Sequence, residues 1–525
     1  MYFPNRTPPG LTPWSRNGFA ATEPAKRAGL GGNGGHLSAT ASRQRHAAGP
    51  GVFSRQLGDA VCDPQLPQAL AATLVSTLIA TLGSLFIALT LLALLWPGEG
   101  WQRLSTRLPW LLAVPHVAFA TSALLLFAEG GQFYRICTVC SPQLDRYGIG
   151  LGLTLAVKES AFVLWAIYAA LPEKRLAQQK IVLHTFGYGR MQALNWLVLP
   201  AIAPALGAVM LAVLAWSLSV VDVAIVLGPG NPPTLAVLAW QWLAQGDAQQ
   251  QTKGTLLCLV LLLLLAALAA VGYGFWTAWR RAQRDPSGVR HASHTALPAR
   301  TLGGLLPLCG VLCALVLLML ARRDDIGPVS DSLSLGLLSS LTALAILMLW
   351  LEWGPQRGAV WVWLPLALPA LPLVSGQYAV ALWLGIDGQY AAVLWSHMLW
   401  VLPWMLLVLQ PAWRRLDPRL ILTARTLGWR QAKIFWLVKC PLMIRPALLA
   451  FATGFSVSMA QYMPTLWLGA GRFTTLTTEA VALSSGGSIP ILASRALGLL
   501  LLTSSVFALA ALLSRLVGRH RQGSR

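Results

Sequence analysis

Apolar runs of about 20 residues alternate with short polar stretches along most of the chain. A run of that length spans a bilayer as a helix, because each residue advances ~1.5 Å and the hydrocarbon core is ~30 Å thick. The pattern predicts spans at about 67–96, 108–128, 149–171, 197–227 and 254–279, then at about 303–321, 332–351, 360–380, 389–411, 441–466 and 488–514. Every span is expected to be helical, since lipid offers the backbone no hydrogen-bond partner. Residues 1 to about 60 break the pattern. They are rich in Gly, Ser, Pro and Arg and hold no apolar run. Disorder is the expectation there, and without an apolar h-region they do not read as a signal peptide.

Two polar interruptions share a design. Leu171 to Leu206 carries Glu173, Lys174, Arg175, Lys180 and Arg190, then enters an apolar run through Leu199-Pro200. Pro411 to Leu448 repeats the arrangement, with Arg430 among its basic residues. Gly187 and Gly428 stand 241 positions apart, as do Pro200 and Pro441. The same offset relates Leu227, Gly228, Gly230, Thr234 and Leu235 to Leu468, Gly469, Gly471, Thr475 and Leu476. A constant offset over so many positions means one unit used twice. Duplicated multi-span units suggest a transporter with its pathway at the repeat interface. The chain then divides into a tail (1–60), a first repeat (61–279), a basic linker (280–302), a second repeat (303–514) and a basic tail (515–525).

Composition agrees with the pattern: 56% of residues are hydrophobic and 11% charged, against about 25% charged in soluble domains. The formal charge of +21 raises nucleic acid as a partner. Cytoplasmic loops and anionic lipid account for it better, because no soluble fold presents a basic face. Placing the loops 171–195 and 411–440, the linker and the C-terminal tail in the cytoplasm satisfies the positive-inside rule. The loops 129–148, 228–253, 376–388 and 467–487 then face outward. One feature resists this layout: the second repeat has a leading span, 303–321, that the first lacks, so the basic N-terminal tail would emerge outside. Either the arrangement is five spans plus six, or the first ~60 residues are not the natural start; the second explanation is preferred here.

Within each interruption, a polar helical segment reaches a Gly and a second segment reaches a Pro. Met191, Leu194, Leu197 and Val198, and Ile434, Leu437 and Val438, recur at helical spacing. Gly187 and Gly428 allow a sharp turn without a Cβ penalty. Pro200 and Pro441 are expected to end or kink the segment and set its angle to the membrane. Such a helix pair is a mechanical handle for a partner; the plainer reading is an ordinary amphipathic loop.

The segments TFGYGRMQALNWLVLPAIAP and TLGWRQAKIFWLVKCPLMIRP resemble the EAA loop of binding-protein-dependent ABC importer permeases. Nearly all of 67–514, including VLGPGNPPTL and WLGAGRFTTL, looks like the fused two-copy permeases of the iron(III) and thiamine type. That resemblance implies an all-α type I importer permease in a bacterial inner membrane. It implies two partners, a separate ABC ATPase (expected as a homodimer) and a periplasmic solute-binding protein. It also assigns Gly187, Pro200 and Arg190, with Gly428, Pro441 and Arg430, to two coupling helices that dock on the ATPase. The family's Glu-Ala-Ala positions read Ile181-Val182-Leu183 and Leu422-Thr423-Ala424 here.

Remaining candidates lie in the spans. Lys158 and Glu159 fall near the middle of 149–171, and intramembrane charges are costly and by default functional. His397 sits near the corresponding point of the second repeat, and Asp222 at an outer mouth. These four are pathway candidates; the plainer alternative is that Lys158 and Glu159 pair with neighbours inside the bundle. An ion-coupled secondary transporter using Lys158, Glu159 and His397 is the alternative function. A membrane scaffold or membrane enzyme has no supporting motif. Without a G-x-x-x-x-G-K-[ST] motif the chain is not expected to hydrolyse ATP itself. No metal or cofactor is expected, since His and carboxylates do not cluster. Cys137 and Cys140 form a lone CxxC, expected as a free pair unless an oxidising compartment joins them.

Overall fold

The computed structural model describes residues 62–128, 131, 133, 134, 136, 144–283, 299–322, 327–355 and 360–522. The N-terminal tail, Cys137 and Cys140, and the middle of the 280–302 linker lie outside them. Among the described residues there is no strand. The first half holds α1 (Leu66–Leu95), α2 (Glu99–Ala113), α3 (His116–Phe127), α4 (Ile149–Ala170), α5 (Glu173–Thr185), α6 (Arg190–Ser219), α7 (Asp222–Leu227), α8 (Leu235–Ala244) and α9 (Ala248–Ala282). The second half holds α10 (Ala299–Leu320), α11 (Val329–Trp353), α12 (Val360–Ala367), α13 (Ala370–Leu384), α14 (Tyr390–Arg414), α15 (Pro418–Thr426), α16 (Gln431–Met459), α17 (Met463–Leu468), α18 (Leu476–Ser484) and α19 (Ile489–Gln522). Nine helices among the described residues are long and apolar enough to cross a membrane, or ten if the bent pair α2 and α3 is one span.

The repeat is structural as well as sequential. From α4 onward each helix that crosses or dips has a counterpart beginning 241 residues later: α4 and α14, α6 and α16, α7 and α17, α8 and α18, α9 and α19. The short helices α8 and α18 are also held alike. The first amide of α8, on Leu235, donates to Thr73 Oγ1 at 2.8 Å. That of α18, on Leu476, donates to Ser332 Oγ at 2.9 Å. The long helices α1 and α11 thus each satisfy an amide that a helix start leaves without a partner. The extra helix α10 crosses over to pack on α2 and α3 of the first half, and on α19.

Four expected spans are not continuous. The run 108–128 is broken into α2 and α3, which meet at 87°. The break falls at Val114-Pro115, where proline removes an amide and pushes its predecessor out of the helical region. The run 360–380 breaks in the same way before Pro369, which caps α13 in an extended conformation. The runs 197–227 and 441–466 stop early, at Ser219 and Met459, and turn into α7 and α17. Of the two outcomes expected at Pro200 and Pro441, an end or a kink, the helices do not end there. Both prolines lie inside α6 and α16, two residues after a wide five-residue π turn, Leu194–Val198 and Phe435–Lys439.

Packing divides the molecule by depth. One contiguous core joins residues of both halves at the end where α8 and α18 dip, including Leu155, Val223, Leu235, Val393, Phe455 and Leu476. Towards the elbows one further core gathers around Leu92, Leu104, Ile167 and Ile202, with Leu306 of the second half inside it and Trp404 and Leu407 packed on it, and another gathers around Leu347, Met405, Leu409 and Met443. Close helix contacts rely on small residues, as membrane bundles do. An added Cβ at Gly83 would lie 2.8 Å from Ala156 Cβ, and one at Gly454 would lie 2.5 Å from Met405 Sδ.

Candidate functional site: two elbows and a shared cavity

The elbows are built from the helix ends upward. At the end of α5, Gly187 has φ +84°, and at the end of α15, Gly428 has φ +76°. Gly187 N donates to His184 O at 2.9 Å and Tyr188 N to Leu183 O at 3.1 Å. In the second elbow, Gly428 N donates to Arg425 O at 2.9 Å and Trp429 N to Ala424 O at 3.2 Å. This paired pattern is the Schellman stop, which needs a left-handed residue and therefore glycine. The chain then re-enters helix at once, as α6 and α16, and passes through the π turn.

The π turn follows from the proline. Leu199 N donates to Leu194 O and Cys440 N to Phe435 O, five residues back rather than four. The next residue, Pro200 or Pro441, has no amide to give. Widening the turn before proline relieves the clash of its ring with the preceding turn.

The two elbows are tied down differently. In the first, Lys180 Nζ and Arg190 Nη2 both donate to the Trp96 carbonyl just after α1, at 3.3 and 3.2 Å. Lys180 also lies over the Trp96 ring, 5.4 Å from its centre, and Trp101 Nε1 donates to Glu173 Oε1 at 2.8 Å. In the second, Lys439 Nζ meets Glu352 Oε2 at 2.5 Å. Arg190 and Arg430, grouped together from sequence, are not equivalents. Residue 431, the counterpart of Arg190, is Gln, and Arg430 is an exposed N-cap.

Burial beside Trp96, and then the neighbouring Arg190 charge, lower the Lys180 pKa from 10.5 to about 8. Between about pH 8 and 10.5 the unfolded chain holds this proton while the folded chain has released it. Stability from this group therefore rises with pH across that window and falls away as pH drops through 8. The expected result is a melting temperature whose rise over the window is flattened by Lys180→Met, read by thermal unfolding of the two proteins in one detergent.

Both elbows display apolar side chains on otherwise polar helices, at the same register. Ile181 (64% exposed) and Phe186 (59%) in the first match Leu422 (63%) and Leu427 (67%) in the second. Water does not favour such exposure on a basic helix pair.

The second feature is a cavity of about 190 Å³ between the halves. Lys158, Glu159 and Asp222 all line it, with His116, Gln461 and Tyr462. Lys158 and Glu159 do not pair with each other. Lys158 Nζ donates to the Leu111 carbonyl at 2.9 Å, an acceptor that Pro115 has no amide to reach and that otherwise takes only the Val114 amide at 3.4 Å. Glu159 Oε1 lies 2.7 Å from His116 Nε2 at the start of α3. The bent helix pair is thus pinned by the two charges of α4. Asp222 begins α7 and forms part of the cavity wall beyond the α6 break.

His397 is not in the cavity. It is 1% exposed behind the wall, bonded to Ser458 Oγ at 2.8 Å and Thr465 Oγ1 at 2.9 Å, so that α14, α16 and α17 are joined. The secondary-transport alternative called for Lys158, Glu159 and His397 to act together, and the fold separates them. Trp400, at Glu159 plus 241, occupies the matching place and does line the cavity. All the charged side chains of the cavity come from the first half, and the second contributes Trp400, Trp404, Gln461 and Tyr462. His116 was the residue missed from sequence; the signal available was a histidine following a proline inside an apolar run.

The chain is 63% identical over 465 residues to the inner membrane ABC transporter permease protein YnjC of Escherichia coli (strain K12), covering 88% of this chain and 91% of that protein. No family model and no solved structure matches it.

Proposed function

Because the chain belongs to the permease subunits of ABC transporters, a multi-pass inner-membrane family, we propose that it imports a small solute and is driven by a separate ATPase gripping the two elbows. The ATPase is a homodimer on this reading, since elbows of one register offer two copies of one protein the same apolar pair. A periplasmic binding protein delivers the solute at the face where α8 and α18 dip. The solute passes through the shared cavity, where Lys158, Glu159 and Asp222 supply polar contacts and Trp216, Trp400 and Trp404 supply flat apolar walls.

The observation that carries the ATPase partnership is the repeated exposure of Ile181 with Phe186 and Leu422 with Leu427. Phe186→Asp combined with Leu427→Asp is expected to leave a folded permease that no longer co-purifies with its ATPase. Co-purification at the wild-type level, with transport still coupled to hydrolysis, would overturn the reading.

A further inference from the structure

Arg280 closes α9 at the elbow end of the first half. Its Nη1 donates to the carbonyl of Asn195, inside the π turn, at 3.1 Å. That carbonyl needs an outside donor for a definite reason. The amide of Leu199, four residues on, is turned to Leu194. The next residue, Pro200, has no amide. The wide turn and the proline together leave Asn195 O without a helical partner, and an unpaired backbone acceptor away from water is unfavourable. A guanidinium suits the place because it holds several donors on one rigid plane. Trp276 lies under it, 5.9 Å from the guanidinium carbon, and Trp279 packs on Trp276 at 5.4 Å. The donor is therefore aimed by the aromatic pair of its own helix.

We infer that Arg280 is a positioning residue for energy coupling: it holds the first elbow at a set angle by satisfying the carbonyl that the π turn and Pro200 leave open. This rests on the elbow being the drive point proposed above. A force applied to α5 would reach α9, the last helix of the first half, through this bond. The sequence offers an independent parallel. Residue 521, which is Arg280 plus 241, is again arginine, and Pro441 follows the second π turn as Pro200 follows the first.

The alternative is an arginine that merely seats α9 at the lipid headgroups. The two ideas part on Pro200. Pro200→Ala restores an amide that can serve Asn195 O, so Arg280 should matter less in that background. Hydrogen exchange of α5 and the start of α6 would be followed in the full chain in nanodiscs, for wild type, R280A, P200A and P200A/R280A. The expected result is about fivefold faster exchange in R280A, with P200A/R280A returning close to P200A. If R280A alone does not assemble, recovery of folded yield in the double variant reads the same link. Unchanged exchange in R280A, or a double variant as exposed or as poorly assembled as R280A, overturns the inference. With the ATPase added, R280A is expected to move less solute per ATP and R280K to regain part of it. A loosened elbow with an unchanged ratio would keep the anchor and refute the elbow as drive point.

Discussion

Gly428→Val is expected to yield an inserted, folded permease that moves about tenfold less solute per ATP hydrolysed. The argument begins with backbone geometry. At φ +76° a Cβ meets the chain's own carbonyl, and a β-branched side chain is the least tolerant of it. Nothing lies within 4 Å of a Cβ built at this glycine, so the penalty comes from conformation and not from collision. Strain of roughly 1–3 kcal/mol can be relieved only by opening the Schellman stop, which swings α15 relative to α16. Insertion does not depend on that angle; transmission of a push from α15 to the span does. Gly428→Asn is the control, because asparagine tolerates the left-handed region, and it should keep most of the coupling. Gly187→Val and Gly187→Asn should behave alike. Uptake and ATP hydrolysis measured together in proteoliposomes check the pair. Equal transport per ATP in both valine variants would show that the elbows carry no drive.

Lys439→Met is expected to destabilise the protein by roughly 3–5 kcal/mol, the effect of stranding a buried charge. Its partner, Glu352, has a side chain only 1% exposed at the end of α11. Glu352 Oε1 has no hydrogen-bond partner, so the Lys439 ammonium is the main compensation for the carboxylate. Lys439 also lies over the Trp413 ring at 5.1 Å. The paired variant Lys439→Met with Glu352→Gln removes both charges and should regain most of the loss. The first half shows that an apolar residue suits this place, for Val198 stands at the Lys439 position there and is 1% exposed. Thermal unfolding of the single and paired variants decides the matter. A paired variant no more stable than Lys439→Met would mean that the lysine stem, and not its charge, holds the elbow.

Much of the fold was legible in the chain because its solvent is lipid. A backbone in lipid must bond to itself, so the length of an apolar run alone announces a helix, and α1, α4, α9, α11, α14 and α19 all follow runs of that kind. The duplication was legible too, since Gly187, Pro200 and the outer Gly and Thr positions recur at one offset. Hydropathy was blind to the breaks. Leu and Val are equally apolar in a straight span and in the bent pair, so 108–128 read as one helix although Pro115 divides it.

What the residues determined by themselves was the helical class, the duplication and the place of each elbow turn, because these depend on local properties: hydrophobicity, the freedom of glycine and the missing amide of proline. What tertiary structure alone decided was which charges share a space. Lys158, Glu159 and Asp222 meet His116 in one cavity and His397 is excluded from it, although all five lie in or beside apolar runs. The same holds for the elbows, where Arg190 and Lys180 find the Trp96 carbonyl and Arg280 finds Asn195 across gaps of 85 to 94 residues in the case of the arginines. A hydrogen bond depends on distance in space, and periodicity along the chain carries no record of that distance until the helices have packed.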